Sequence, residues 1–325
     1  MRVLLWHVHG SWTTSFVHGP HEYVVPVLPD RSADGVGIAR TFAWPDDVVE
    51  ATPEELRDMD FDVVLLQRPH ELDLLERWTG KRVGRDVPAV YVEHNAPQGR
   101  IAELRHPMAD RDDVLLVHVT HFNDLMWDAG ATPTRVVEHG IVDPGERYTG
   151  ELARGVVVVN EARRRGRVTG TDLLGRFAAA APLDLFGMDA ANASPHVTGI
   201  DDTPQADMHA QLARRRVYLH PIRWTSLGLS LLEAMHLGMP VVALGTTEVA
   251  EAEPAAAGAV STDVDVLVRR LGELVADPEQ AREAGRAARA AALERYGLHR
   301  FLADWDDVLS SLVASRPSDP EEVPA

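Results

Sequence analysis

In the run TSLGLSLLEAMHLGMPVV (225–242) one carboxylate, Glu233, stands in otherwise apolar surroundings. Burying a carboxylate is costly unless a partner compensates it, so Glu233 either faces water or lines a site. The segment reads as a buried helix from Leu229 to about Leu237, stopped by Gly238 and Pro240, that runs into a buried strand at the end of the stretch. Thr225 and Ser226 are helix-capping types, and Gly228 permits close backbone approach. Ser230, Glu233 and His236 are three apart and share one helical stripe. The free amides and positive dipole end of a helix start form a seat for phosphate. A carboxylate about one turn further in can accept hydrogen bonds from a sugar diol. The stretch therefore offers a diphosphate at the helix start and a ribose at Glu233. A solvated polar stripe on a surface helix fits the same spacing, and the segment alone leaves both readings open.

Lys81 is the only lysine. A phosphate in the second half must then be met by arginine, histidine, hydroxyls or backbone. NEARRRGRVTGTD (160–172) gathers Arg163, Arg164, Arg165 and Arg167, and guanidinium groups chelate phosphate oxygens in pairs. Arg164 and Arg167 are the candidate contacts, and a solvated basic turn is the competing reading. His94 ends the run YVEH (91–94). His7 and His9 in HVHGSW point the same way along a strand, as a metal pair would. They have no further ligands at recognisable spacing, so no metal is expected. Gly10 and Ser11 read as the loop after that strand, near a phosphate or second substrate. GVGIAR (35–40) does not join a strand to a helix and is discounted as a dinucleotide fingerprint.

These residues need elements to hold them. Short apolar runs alternate with helical patterns, the signature of a parallel α/β sheet. Strands are expected at 2–8, 22–28, 61–67, 88–94, 113–119 and 135–141. Between them, Thr52 and Glu55 form a possible capping box, and the helix 70–80 ends on Gly80. The pattern restarts near residue 145, with strands at 155–161, 183–189 and 217–221 and helices at 169–181 and 207–215. Three helices follow, at 264–278, 279–297 and 299–313, and the polar, proline-rich 316–325 is expected to be disordered.

With 325 residues, 45% of them hydrophobic, the chain can build two cored domains. A net charge of -18, spread along the chain, argues against nucleic-acid partners and anionic lipid surfaces. The absence of cysteine rules out disulfides, thiol nucleophiles and thiolate metal sites. MRVLLWHVHG lacks a signal-peptide core, and no apolar run approaches the ~20 residues of a membrane span. A cytoplasmic location fits this composition.

The segment 225–242 resembles the signature of family-four (group 1) retaining glycosyltransferases of the GT-B fold. Their motif runs Glu, any residue, Phe-Gly, four mostly apolar residues, Glu-Ala-Met, then a glycine and Pro-Val-Val. VYLHP (217–221), ALGTTEVAE ending at Glu251, DPEQAREAGRAARAAALERYG (277–297) and VVEHGIVDP (136–144) are similar to other segments of that family. The resemblance covers most of 113–313. It implies two Rossmann-like parallel-sheet domains facing across a cleft, residues 1–144 on the acceptor side and 145–298 on the nucleotide-sugar side. The helix 299–315 would return to the first domain. It further implies transfer of a sugar from a nucleotide-sugar donor to a small-molecule, glycan or lipid acceptor, with retained configuration and without metal or cofactor. Glu233 would hold the ribose, and Leu227, Gly228 and Leu229 would present backbone amides to the sugar or diphosphate. His94 would contact the sugar near the reacting carbon. The sequence departs from the pattern at three places: Thr225 stands where the first motif glutamate grips donor hydroxyls, Asn160-Glu161 replaces the Gly-Arg pair that precedes the diphosphate contacts, and Thr169 falls where a diphosphate lysine is usual. Those departures keep two alternatives open, a GT-B protein that binds a nucleotide or partner without turnover, and a GT-B nucleotide-sugar epimerase or phosphorylase.

Overall fold

The computed structural model describes residues 1–201 and 203–315; the expected disordered tail lies outside them. Seven strands form the first sheet: β1 (Arg2–Leu5), β2 (Glu22–Pro26), β3 (Val49–Ala51), β4 (Val63–Leu66), β5 (Ala89–Glu93), β6 (Val114–His118) and β7 (Thr134–Val136). Their order is β3-β2-β1-β4-β5-β6-β7, and every neighbouring pair is parallel. The second sheet contains β8 (Leu152–Val158), β9 (Leu183–Phe186), β10 (Thr198–Ile200), β11 (Arg215–His220), β12 (Val241–Leu244) and β13 (Gly258–Ser261). It too is wholly parallel, in the order β10-β9-β8-β11-β12-β13.

Helices cover both faces of each sheet, which explains why the central strands read as unbroken apolar runs rather than alternating ones. In β4, Val63 and Leu65 join one core while Val64 and Leu66 join the opposite one. In the second sheet Val242 and Leu244 face one core, Val241 and Ala243 the other. The expected capping box is formed: Thr52 accepts from the Glu55 amide and Glu55 from the Thr52 amide. Gly80, left-handed at φ 73°, closes the helix Glu71–Thr79.

Three strands were not expected: β3, β10 and β13. All are edge strands of three or four residues, too short to carry a period. The helix expected over 169–181 is a 3-10 turn (Thr171–Leu173) followed by Leu174–Ala178. Gly10 and Ser11, expected in a loop, instead open the helix Gly10–Phe16.

Of the three C-terminal helices, Pro278–Tyr296 is capped by Asp277, which accepts from the amides of Glu279 and Gln280. The last, Leu298–Ala314, leaves the second domain. Its Phe301, Trp305, Val308 and Leu309 enter the first domain's core beside Trp12 and Phe16. Trp305 meets the edges of Trp12 and Phe16 at ring separations of 5.6 and 5.1 Å. Gly140, in the connection after β7, lies under this helix; a Cβ there would sit 2.2 Å from Phe301 Cβ.

Candidate functional site

Both sheets reverse strand order beside their first strands, between β1 and β4 and between β8 and β11. In such folds ligands bind outside the carboxyl ends of the strands at these points. From the end of β1 the chain enters the helix Gly10–Phe16, where Ser11 Oγ donates to Glu233 Oε1 at 2.6 Å. That bond joins the first domain to the second across the cleft. Thr120 and Ser226 hydroxyls meet at 3.1 Å, Trp224 Nε1 donates to Pro97 O at 2.7 Å, and the Phe122 amide donates to Glu248 at 2.8 Å.

Glu233 lies on the helix Leu229–His236 and is 3% exposed. Besides Ser11 it accepts from Gln205 Nε2 at 3.0 Å on Oε1 and from His209 Nε2 at 3.1 Å on Oε2. The solvated-stripe reading is therefore overturned: Glu233 and His236 are buried, and Ser230 accepts from the Tyr218 hydroxyl at 2.9 Å. The capping expectation is also corrected. Gly228 is the N-cap and no side chain caps the helix. Ser226 is drawn to Thr120 of the other domain, and Thr225 is half-buried in the preceding bend. The helix start thus keeps free amides, as an anion seat requires. Gly228 is needed there because a Cβ would lie 2.5 Å from Cε1 of His220 at the end of β11. Leu227 is buried in the second domain's core, and Leu229 packs against the cores of both domains.

His94 follows β5 and lies tilted against His9 at 4.0 Å, with Trp12 edge-on at 4.9 Å. Its Nε2 is buried without a partner. Burial above all, then the neighbouring His9 and His139, pushes its pKa well below 6.5; burial likewise lowers His9 to about 4. These imidazoles are neutral at physiological pH. They can exchange hydrogen bonds with a ligand but cannot neutralise phosphate charge. His7 and His9 do not form a pair: His7 Nδ1 lies 3.1 Å from the Gly37 carbonyl and its ring faces Trp44. Among the described residues no group of three His, Asp or Glu side chains is placed to hold a metal.

Arg163, Arg164 and Arg165 sit on a single helical turn, Ala162–Arg165, after β8, and Arg167 follows it beyond Gly166. Arg164 pairs with Glu161 through Nε at 2.7 Å, and its side chain is 69% exposed. Arg167 pairs with Asp172 at 3.0 Å and is 78% exposed; Asp172 also takes Arg223. Thr169 is fully buried, its hydroxyl donating to Gly166 O at 3.2 Å. The fold brings Gly10, Ser11 and Glu233 together, with His94 reached through His9. Arg164 and Arg167 are held by carboxylates of their own surface loop. Gln205 and His209 were not singled out from sequence. The available signal was a polar pair four apart in a helical run, which places both on one face.

Residues 187–291 match the family model described as glycosyl transferases group 1, a region that begins at the end of β9 and includes Glu233. No curated protein matches the chain significantly in sequence. Among solved structures, the chain is similar to a sucrose-phosphate synthase from Thermosynechococcus elongatus, with TM-score 0.75 and 13% identity over 97% of this chain and 100% of that one. It is also similar to HepE of Anabaena, solved in complex with UDP, with TM-score 0.69 and 14% identity over 96% and 100%. AviGT4, a glycosyltransferase involved in avilamycin A biosynthesis, aligns with TM-score 0.58 and 16% identity over 97% and 99%. These likenesses establish the fold. The fold is thus of the GT-B kind, and residues 187–291 within it are similar to group 1 glycosyl transferases.

Proposed function

We propose that this protein transfers a sugar from a nucleotide-sugar donor to an acceptor hydroxyl, with retention of configuration and without a metal ion. The observation that carries the reading is Glu233: a buried carboxylate one turn inside an uncapped helix start, facing the opposite domain. In this reading the second domain, 145–298, takes the donor. Glu233 holds the ribose diol, and the amides of Leu227, Gly228 and Leu229 meet the diphosphate or sugar. Thr225 and Ser226 border the sugar. Arg164 and Arg167 exchange their exposed carboxylates for diphosphate oxygens, and the helix amides stabilise the leaving group. The first domain, 1–144, binds the acceptor. Gly10 lines its mouth, and neutral His94 accepts or donates a hydrogen bond near the reacting carbon. That HepE was solved with UDP supports a nucleoside diphosphate as the leaving group. A cytoplasmic setting agrees with a chain in which no described helix is long and apolar enough to cross a membrane.

The test is a panel of nucleotide sugars incubated with an acceptor library in excess EDTA. Nucleoside diphosphate release should accompany a product carrying the donor's anomeric configuration. Activity lost in chelator and restored by magnesium, or an inverted product, overturns the mechanism.

Thr225 favours a second reading, a nucleotide-binding protein without turnover, because threonine cannot grip a diol as glutamate does. The same panel separates the two. A wild-type protein that binds a nucleoside diphosphate, yet gains neither affinity nor turnover from any attached sugar, is a binder.

A further inference from the structure

The donors around Glu233 divide its two oxygens unequally. Oε1 carries Ser11, from the opposite domain, and the half-buried Gln205. Oε2 carries His209 alone, and both side chains of that pair are nearly sealed from solvent, at 7% and 4% exposure. A carboxylate offers about four acceptor positions and no donor. Three are filled, so His209 must present Nε2–H, and one position on Oε2 remains open. A diol that binds here can displace Ser11 and Gln205, which sit on the cleft side, but not the enclosed imidazole.

We propose that His209 is a positioning residue for ligand recognition. Its hydrogen bond fixes the Glu233 carboxylate so that Oε1 and the open position on Oε2 face the two hydroxyls of a ribose. His209 and Gln205 are four apart on the helix Gln205–Leu212, so this one helix supplies both a fixed and an exchangeable partner. Ser11 Oγ stands at a position that a ribose hydroxyl would take on Oε1. The inference rests on the nucleotide reading of the site and extends it to the ribose 2′-hydroxyl.

The test uses the full chain and calorimetric titration with UDP, GDP and ADP, each paired with its 2′-deoxy form, on wild type, His209→Ala and His209→Gln. Glutamine can place an amide N–H where Nε2–H stood; alanine cannot. Wild type should prefer a ribonucleotide over its deoxy form by about tenfold or more, the worth of a hydrogen bond to a charged group. His209→Ala should bring that preference close to one, and His209→Gln should restore most of it. The proposal is overturned if alanine keeps the wild-type preference, or if both variants weaken ribo and deoxy forms equally, which is what a purely structural histidine does. It is also overturned if wild type binds nucleotides without distinguishing the two forms, a result that leaves the nucleotide reading intact. Wild type that binds none of the six nucleotides removes the nucleotide reading, and this inference with it.

Discussion

The residue that decides this site is a carboxylate whose neighbours come from two distant stretches of chain, one in each domain. Ser11, Gln205 and His209 compensate the burial of Glu233, and the bonds from Ser11 and Gln205 are of the kind a ribose hydroxyl could replace. Glu233→Gln should weaken nucleoside diphosphate binding by about 1.5–3 kcal/mol, the loss of a charge-assisted bond, while the melting temperature stays near wild type. Calorimetry measures it, and unchanged affinity would place Glu233 outside the ligand site. His94 calls for a different readout. It is neutral and lies on the first-domain side, so His94→Ala should lower kcat by more than it lowers nucleotide affinity. A mutant with normal turnover would mark His94 as a packing residue against His9 and Trp12.

At the scale of elements, two helices carry the domain relationship. The helix Leu229–His236 begins without a side-chain cap, and its first residue packs against both cores. The helix Leu298–Ala314 closes the first domain's core although it lies last in the chain. Arg300 donates to the carbonyls of Glu138 and His139, and the Ile141 amide donates to Tyr296 O at 3.0 Å. The two crossings between domains are thereby fastened to each other. Trp305→Ala empties a site that is 2% exposed and ringed by Trp12, Phe16 and Phe301. A loss of about 3–5 kcal/mol is expected. Urea unfolding should show the first domain melting early while the second holds, because this helix contributes to the first core. A single unshifted transition would mean that the helix is not integral to that core.

For the whole molecule, buried histidines set the acid limit of stability. Burial holds His9, His118 and His220 near 4 and His139 near 3, and it lowers His94 well below its usual value. In the unfolded chain each titrates near 6.5. As pH falls through 6.5 the unfolded chain binds protons that the native chain refuses, so stability declines from that point down to the folded values. Glu71, Glu248 and Glu253 are raised by burial and act in the opposite sense, losing stability as pH rises above about 4.5. Five histidines outweigh three carboxylates. The urea midpoint should therefore fall between pH 7 and pH 5; a flat or rising midpoint would refute the assignment of these imidazoles as neutral.

The sequence by itself determined the fold class, because central parallel strands covered on both faces must be continuous apolar runs, and β4, β12 and nearly all of β1, β5 and β6 are. It also determined that Glu233, if buried, needs a partner, since one carboxylate among leucines cannot be buried alone; that it is buried came from the structure. It did not determine β3, β10 and β13, whose three or four residues borrow their conformation from a neighbouring strand rather than from a period of their own. Nor could it place Ser11 on Glu233: the two are separated by 222 positions and meet only because the domains face each other. The capping role of Ser226 failed for the same reason, and Thr225 lies three residues before the N-cap Gly228. A hydroxyl beside a helix start caps it when nothing better is within reach, and here Thr120 of the other domain is. Local physics fixed which residues had to be compensated, and only the tertiary arrangement decided by what.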